Sequence, residues 1–373
     1  MLIIVIAISL TSIILYCILL SFFTKGLKKN EIQYLESNNN LPFCSILIPC
    51  RNEEGNIENI LSDLLQQDYD KNLHEIIVID DHSSDKTKDI VYFFKNGNEI
   101  TYLSLNNSQL GKKAALLAGL GRAKGNLILT IDADCRVGKF WLKSFAKLYA
   151  IQKPHLIIGI VDIFNPQTIW EKIVNLEFLS LIGAGIGAAN MNKPFMCNGA
   201  NLAFCSSVTP LVVASLKSNI SSGDDMFVLH SLKAKQKKII TNMDYRAISY
   251  TYPPKNFTEF LHQKIRWASK TIRYKDTFTL SIAFLIFFVN VTYFISLVAS
   301  LFFPILFLSA IGIIVIKTIA DVYFFKIFLS YMKKYKLKRY IVIVNIFYPF
   351  YIILISILSM FVIPRWKGRI ISI

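Results

Sequence analysis

The sequence predicts an α/β domain with a parallel sheet, set between apolar segments at both ends of the chain that are long enough to cross a membrane. Three observations carry that expectation. Hydrophobic residues make up 53% of the 373 and crowd toward the two ends. Between them, short runs rich in Ile, Leu and Val alternate with longer helical patterns, as in β-α units whose strands pair in parallel. Those runs stop at clustered acidic residues, at the strand ends where such sheets bind ligands. A charged share of only 18% with 13% aromatics excludes a disordered chain and a nucleic-acid partner, although 41 Lys+Arg over 25 Asp+Glu leaves a balance of +16.

Met1–Thr24 carries no charged side chain, and a helix of that length covers the roughly 30 Å hydrocarbon core of a bilayer. Residues 1–24 are read as a transmembrane anchor. A cleaved signal peptide fits less well, because nothing basic precedes the stretch and no small-x-small cleavage site follows it. Lys25, Lys28 and Lys29 come next, so the positive-inside rule puts the N-terminus outside and the following residues in the cytoplasm. A polar linker, 25–40, ends in Glu36-Ser-Asn-Asn-Asn40.

Residues 41–276 hold the α/β domain. Phe43–Pro49 is a buried strand stopped by proline, and a helix over 56–67 follows. His74–Asp80 is a second strand, with a helix over 86–95 capped by Ser84 or Asp85. A strand over 101–105, a helix over 112–123, the strand 127–131 and a helix over 139–149 continue the alternation. The strand ends then read Arg51-Asn52-Glu53-Glu54, Asp80-Asp81 and Asp132-Ala133-Asp134, which makes Asn52, Glu53 and Asp81 candidates for substrate contact.

The C-terminal region, 277–364, is expected to be membrane-embedded. Thr277–Ile316 is free of charge and gives room for spans at 278–299 and 303–324, with a turn near Ser300–Pro304. A basic loop, 326–340, carries Lys326, Lys333, Lys334, Lys336, Lys338 and Arg339 and suits anionic membrane lipids. A span at 341–363 and a basic tail, 365–373, complete the chain. Counting every segment as a crossing leaves Arg365, Lys367 and Arg369 outside, against the positive-inside rule, so one segment is re-entrant or interfacial and the side of the C-terminus stays open. Ile173–Ala189 reads as a core helix, with a membrane-facing helix beside a lipid acceptor as the alternative.

Six cysteines without a CxxC pair and five histidines without an HxxxH spacing leave no zinc site or Ser-His-Asp machine, and no Gly-rich phosphate loop follows the first strand. Chemistry must rest on carboxylates. Asp132 and Asp134 flank one residue after a strand, so both side chains can converge on a hard cation such as Mg²⁺ or Mn²⁺, unless Asp134 merely caps the next helix. Lys112, at a helix start, is placed to reach a diphosphate or to sit solvated. Asp224-Asp225 heads an apolar helix, where the helix dipole alone accounts for acids. Gln263-Lys264-Ile265-Arg266-Trp267 follows just before the membrane region.

Taken in order, Asp80-Asp81, Asp132-x-Asp134, Asp224-Asp225 and Gln263-x-x-Arg266-Trp267 resemble the motifs of membrane-bound family 2 glycosyltransferases, the group of ceramide glucosyltransferases and of cellulose, chitin and hyaluronan synthases. The resemblance covers nearly the whole chain and implies a GT-A (nucleotide-diphospho-sugar transferase) fold with N- and C-terminal transmembrane helices. It implies that Asp81 contacts the uridine of a UDP-sugar, that Asp132 and Asp134 serve metal and diphosphate, and that Asp225 is the catalytic base with Asp224 beside it. Gln263, Arg266 and Trp267 would form the gate over diphosphate and acceptor. Trp267 would offer a flat face to a sugar ring, or else anchor at the bilayer surface. The family often has Glu-Asp where Asp224-Asp225 stands, and Cys197-Asn198-Gly199-Ala200-Asn201 is read as acceptor-side, with Asn198 and Gly199 as candidates.

The expected activity is an inverting, metal-dependent transfer from a nucleotide-sugar to a lipid or lipid-linked acceptor. It would occur at the cytoplasmic face of the cell (inner) membrane of a bacterial envelope. Few spans make a modest channel, which favours a lipid acceptor over a processive polysaccharide synthase. A catalytically silent scaffold of the same fold is disfavoured by intact acids at every motif. A reporter fused within Asn38–Asn40 or after Lys336 is expected to read cytoplasmic, and a periplasmic signal at Asn39 would overturn the enzyme reading.

Overall fold

The computed structural model describes residues 2–29, 40–216, 224–363, 365–366 and 369–370. Most of the expected linker, the Ser221–Gly223 approach to the acidic pair, and Lys367 of the tail lie outside the described residues. In chain order the elements begin with α1 (Leu2–Lys29), β1 (Cys44–Cys50), α2 (Ile57–Leu65), β2 (His74–Asp80), α3 (Thr87–Lys95) and β3 (Ile100–Ser104). Then come α4 (Lys112–Leu120), β4 (Leu127–Thr130), β5 (Cys135–Val137), α5 (Trp141–Gln152), β6 (Leu156–Gly159), β7 (Val161–Ile163) and α6 (Ile169–Asn190). β8 (Leu202–Cys205), α7 (Thr209–Leu216), α8 (Asp224–Ala234), β9 (Ile239–Asn242), β10 (Ser249–Thr251) and α9 (Phe257–Ala268) follow. The chain closes with α10 (Thr277–Ala299), α11 (Ile305–Tyr331), α12 (Ile341–Phe361), β11 (Arg365–Trp366) and β12 (Arg369–Ile370).

The chain divides into two compact units, one of residues 31–165, 196–253 and 366–373, the other of 1–30, 166–195 and 254–365. The first is built on a seven-stranded sheet of order β3-β2-β1-β4-β8-β6-β9. Its strands are apolar because both faces are covered, and Ile46, Leu47, Ile48, Val78 and Leu129 are fully buried. The expected all-parallel sheet is in fact mixed: β8 runs antiparallel to both β4 and β6. β8 enters between two strands formed earlier, after the chain has left through α6, and no local pattern encodes that direction.

This topology gathers the site. Cys50 stands in register with Asp80 and Leu47 with Thr130, so the residues after β1, β2 and β4 emerge along one edge. Because β8 is reversed, its first residue, Leu202, pairs with Thr130 and brings the 198–201 turn to the same edge. A smaller sheet, β5-β10-β7, forms beside β4.

The second unit is helical. Among the described residues five helices are long and apolar enough to cross a membrane: α1, α6, α10, α11 and the stretch Tyr335–Phe361 that contains α12. Two boundaries differ from expectation. α1 continues through Lys29, so Lys25, Lys28 and Lys29 close the helix, where positive charge favours its C-terminal dipole, instead of opening the linker. α11 likewise runs on to Tyr331 and takes Lys326 out of the basic loop.

α6 is of a different kind from the others, with 72% of its most apolar window buried inside the protein against 22–28% for the rest. It starts at a capping box of Thr168 and Glu171 and carries glycines on the faces it buries. A Cβ at Gly187 would stand 2.3 Å from the Phe23 carbonyl oxygen of α1, and one at Gly26 only 1.8 Å from the Gly187 carbonyl oxygen. The two backbones touch, as in close packing between small residues of membrane helices. Asn190 Nδ2 donates to the Gly26 carbonyl at 3.1 Å beside them. Gly183 gives the same freedom to Phe324 and Phe328 of α11. Ser9–Ser296 and Ser12–Thr292 hydroxyl pairs join α1 to α10 at 3.2 and 3.1 Å. Gly187→Val is expected to destabilise this unit by on the order of 1–3 kcal/mol, read as a lower unfolding midpoint in detergent. Gly312→Val, with no atom within 4 Å of the added carbon, is expected to leave the midpoint unchanged.

Candidate active site

Lys112 is the centre of the sheet-edge cluster. Gly111 precedes it at φ +89°, a conformation that glycine adopts without strain, and the chain turns there into α4. The Lys112 ammonium pairs with Asp132 at the end of β4. Burial works to lower the Lys112 pKa, but the charges of Asp132, Asp224 and Asp225 outweigh it and hold the group above its ordinary value. The lysine therefore stays cationic.

The acidic pair forms the first turn of α8, as the helix dipole favours. Asp224 is buried and Asp225 half-buried. Asp225 Oδ2 accepts the Gly199 N–H at 3.1 Å, and Thr130 Oγ1 donates to the Gly199 carbonyl at 2.8 Å. A side chain at Gly199 would stand 3.7 Å from the Lys112 ammonium and 3.9 Å from Asp225 Oδ2, so glycine keeps the space between them open. A cleft lined by Lys112, Thr130, Gly199, Asp224, Asp225 and Val228 opens at this point. Burial pushes the neighbouring Cys197 thiol well up, and the charges of Asp225 and Asp224 add to it, which leaves the thiol protonated.

Asp81 is 2% exposed and accepts the Gly111 N–H at 3.0 Å. Arg369, on β12, donates one nitrogen to both Asp81 oxygens at 2.9 and 2.8 Å, which the sequence signalled only as a basic tail. Asp80 accepts from Ser83 and, at 2.9 Å, from Tyr102, so it shapes the turn. Asn52 and Glu53 lace the first two strand-end loops together. Asn52, in the left-handed region at φ +50°, accepts the Ser84 N–H at 2.9 Å, and the Glu53 N–H donates to Thr87 at 2.8 Å. The N-cap of α3 is Lys86, with no side-chain cap bond, so neither Ser84 nor Asp85 is the cap: Asp85 accepts the Thr87 N–H at 3.0 Å, and the Ser84 N–H donates to Asn52.

Asp134 does not cap α5, whose N-cap is Phe140 with no side-chain bond. Among the described residues no three His, Cys, Asp or Glu cluster as a metal site. Asp132 and Asp134 offer oxygen donors at one strand end, a set that fits a hard cation sharing its shell with phosphates. Asn198 turns its side chain onto its own loop, accepting the Ala200 N–H at 3.0 Å. The structure thus brings Lys112, Asp132, Gly199, Asp224 and Asp225 together. Gln263, Arg266 and Trp267 lie on α9 in the helical unit.

Residues 45–206 match the family described as glycosyl transferase family 2, and residues 127–363 match glycosyl transferase family group 2. Glycosyltransferase AglE of Haloferax volcanii is 32% identical over 34% of this chain and 42% of its own length. The poly-beta-1,6-N-acetyl-D-glucosamine synthase of Staphylococcus epidermidis is 26% identical over 66% of this chain and 59% of its own. The chain therefore spans less than two thirds of either relative. The mannosyltransferase PcManGT of Pyrobaculum calidifontis, solved with GDP-Man and Mn²⁺, superimposes with a TM-score of 0.55 at 16% identity over 92% of this chain and 99% of that one, a likeness of GT-A fold.

Thr130→Val removes the donor that holds the Gly199 carbonyl and leaves a buried acceptor unpaired, at a cost of about 1–3 kcal/mol. The expected result is a lower unfolding midpoint, measured by calorimetry on the purified variant.

Proposed function

The chain belongs to the family 2 glycosyltransferases, and on that premise we propose that it transfers a sugar from a nucleotide-sugar, a UDP-sugar, to the hydroxyl of a lipid or lipid-linked acceptor. The observation that supports this most is the convergence of Lys112, Asp132, Asp224 and Asp225 around the bare backbone of Gly199. A fixed Lys112 cation among acids at the sheet edge suits a site that must stabilise a leaving diphosphate and also accept a proton.

Asp225 is the proposed base. Its Oδ2 is held by the Gly199 N–H, which orients the carboxylate. It takes the acceptor's hydroxyl proton as that oxygen bonds to the anomeric carbon, while the bond from this carbon to the diphosphate oxygen breaks and the nucleoside diphosphate leaves. A single displacement by one base inverts the anomeric centre. Lys112 supplies positive charge to the departing diphosphate. Asp132 and Asp134 would hold Mg²⁺ or Mn²⁺, which supplies further charge neutralisation when bound. Asp81, whose oxygens are held by Arg369 and the Gly111 N–H, takes its part as the nucleoside contact from the motif, with Asn52 and Glu53 shaping the loop beside it. Gln263, Arg266 and Trp267 take their part from the motif alone. The proposed setting is the cell (inner) membrane, with the catalytic unit cytoplasmic.

Polymer synthesis is the second reading, favoured by the likeness to the staphylococcal synthase. Incubating membranes with labelled nucleotide-sugars decides between them: one sugar on a lipid-extractable product supports the first reading, and longer polymer the second. Asp225→Asn is expected to lower turnover by roughly 10²–10⁴-fold with nucleotide affinity intact. Asp134→Asn is expected instead to weaken metal-dependent nucleotide binding and to be partly rescued by extra Mn²⁺. Full turnover in Asp225→Asn would remove it as the base, and no nucleoside diphosphate release by the wild type with any donor would remove the transferase reading.

A further inference from the structure

α9 carries the Gln263-x-x-Arg266-Trp267 motif, and its unnamed second position, Lys264, is more deeply buried than any named member. Phe260, Lys264 and Trp267 are spaced to share one helical face, and the Lys264 ammonium meets both rings. The Lys264 ammonium, 4% exposed, pairs with Glu177 of α6, itself 8% exposed. Tyr351 of α12 lies 3.4 Å from the other Glu177 oxygen, and its ring packs on Phe260 at 5.5 Å. The same ammonium stands 4.4 Å from the centre of the Trp267 ring and 5.3 Å from that of Phe260. Phe178, next to Glu177, packs on Trp267 at 6.1 Å.

Trp267 is therefore held within its own unit. A cation over the ring and a phenyl group against it fix the indole, and Glu177 fixes the cation. An ammonium taken out of water is retained only when a counter-charge and further partners meet it, and here the carboxylate and two aromatic faces do so. Burial holds the Lys264 pKa below its ordinary value, and the Glu177 charge and hydrogen bond oppose that only in part. Tyr351 ties the same carboxylate to an apolar span, so α6, α9 and α12 meet at one side chain.

We propose that Lys264 is a positioning residue for the transfer reaction: it clamps Trp267, and with it the helix turn bearing Arg266, by bridging Glu177 and the indole ring. The inference rests on the transferase reading, since it gives α9 a part in that reaction. The alternative is an ion pair that only stabilises the fold.

The test uses full-length protein in detergent or nanodiscs, with the wild-type transfer rate as reference. Absence of wild-type transfer would count against the transferase reading and not against the clamp, which is read separately by the 5-fluorotryptophan ¹⁹F signal of Trp267, assigned with Trp267→Phe. Lys264→Met is expected to lower kcat tenfold or more, change the donor KM less than threefold, and shift the Trp267 signal. If that variant does not fold, Lys264→Met with Glu177→Gln removes both charges together and is read the same way. The charge swap, Lys264→Glu with Glu177→Lys, re-forms an ion pair but puts an anion over the ring. It is expected to restore the unfolding midpoint while kcat stays low. Recovery of both midpoint and kcat by the swap would reduce Lys264 to a structural role, and an unmoved Trp267 signal in Lys264→Met would end the proposal.

Discussion

Three carboxylates cannot be gathered at one sheet edge without positive charge among them, and Lys112, with Lys113 beside Asp224 and Asp225, supplies it. Asp132 arrives from the end of β4 and Asp224 and Asp225 from the start of α8, two places far apart in sequence. Their mutual repulsion in a partly dry cleft would favour looser loops or protonated acids. The Lys112 ammonium, paired with Asp132 and within the field of the other two, lets all three approach. Around it the remaining details make sense as spacing: Gly111 turns the chain so that α4 starts there, and Gly199 leaves the gap between ammonium and Asp225 unfilled.

A similar arrangement recurs in the helical unit with a different purpose. Lys317 of α11 pairs with Asp321 at 2.7 Å and donates to Asn345 of α12 at the same distance, while Tyr16 of α1 donates to Asp321. Ionisable groups among apolar helices persist only when such partners meet them. Lys112 faces an open cleft, whereas Lys264 and Lys317 are closed in by carboxylates and rings.

What was legible in the sequence is what leaves a local trace. β2 starts and ends as expected, because a buried run closed by two acids has only one reading as a strand. The acidic pair heads α8 because the helix dipole favours acids in a first turn, and the membrane-length segments are plain from the lack of charge. What was not legible depends on pairing across long distances. The reversed direction of β8 is set by the place it enters the sheet, and the hold of Arg369 on Asp81 joins residues at opposite ends of the domain order. Lys264 was hidden because its helical pattern resembles any amphipathic turn, and only its partner Glu177, on another helix, gives it meaning. Asn52, expected to contact substrate, also accepts the Ser84 N–H and ties one loop to the next, a bond that only the fold brings about.

The contact of Gly26 with Gly187 changes what α1 is. An apolar helix at the start of a membrane enzyme invites description as a tether, a part that can be cut away to release a soluble remainder. Here its backbone is pressed against that of α6, and the Asn190 amide and the Phe23 and Phe195 rings, stacked at 5.7 Å, seal the seam. A shortened chain lacking residues 2–29 would not be a freed catalytic domain. It would be a protein with an apolar trough along α6, sticky toward detergent, lipid and its own copies, so solubilisation has to keep the first helix in place.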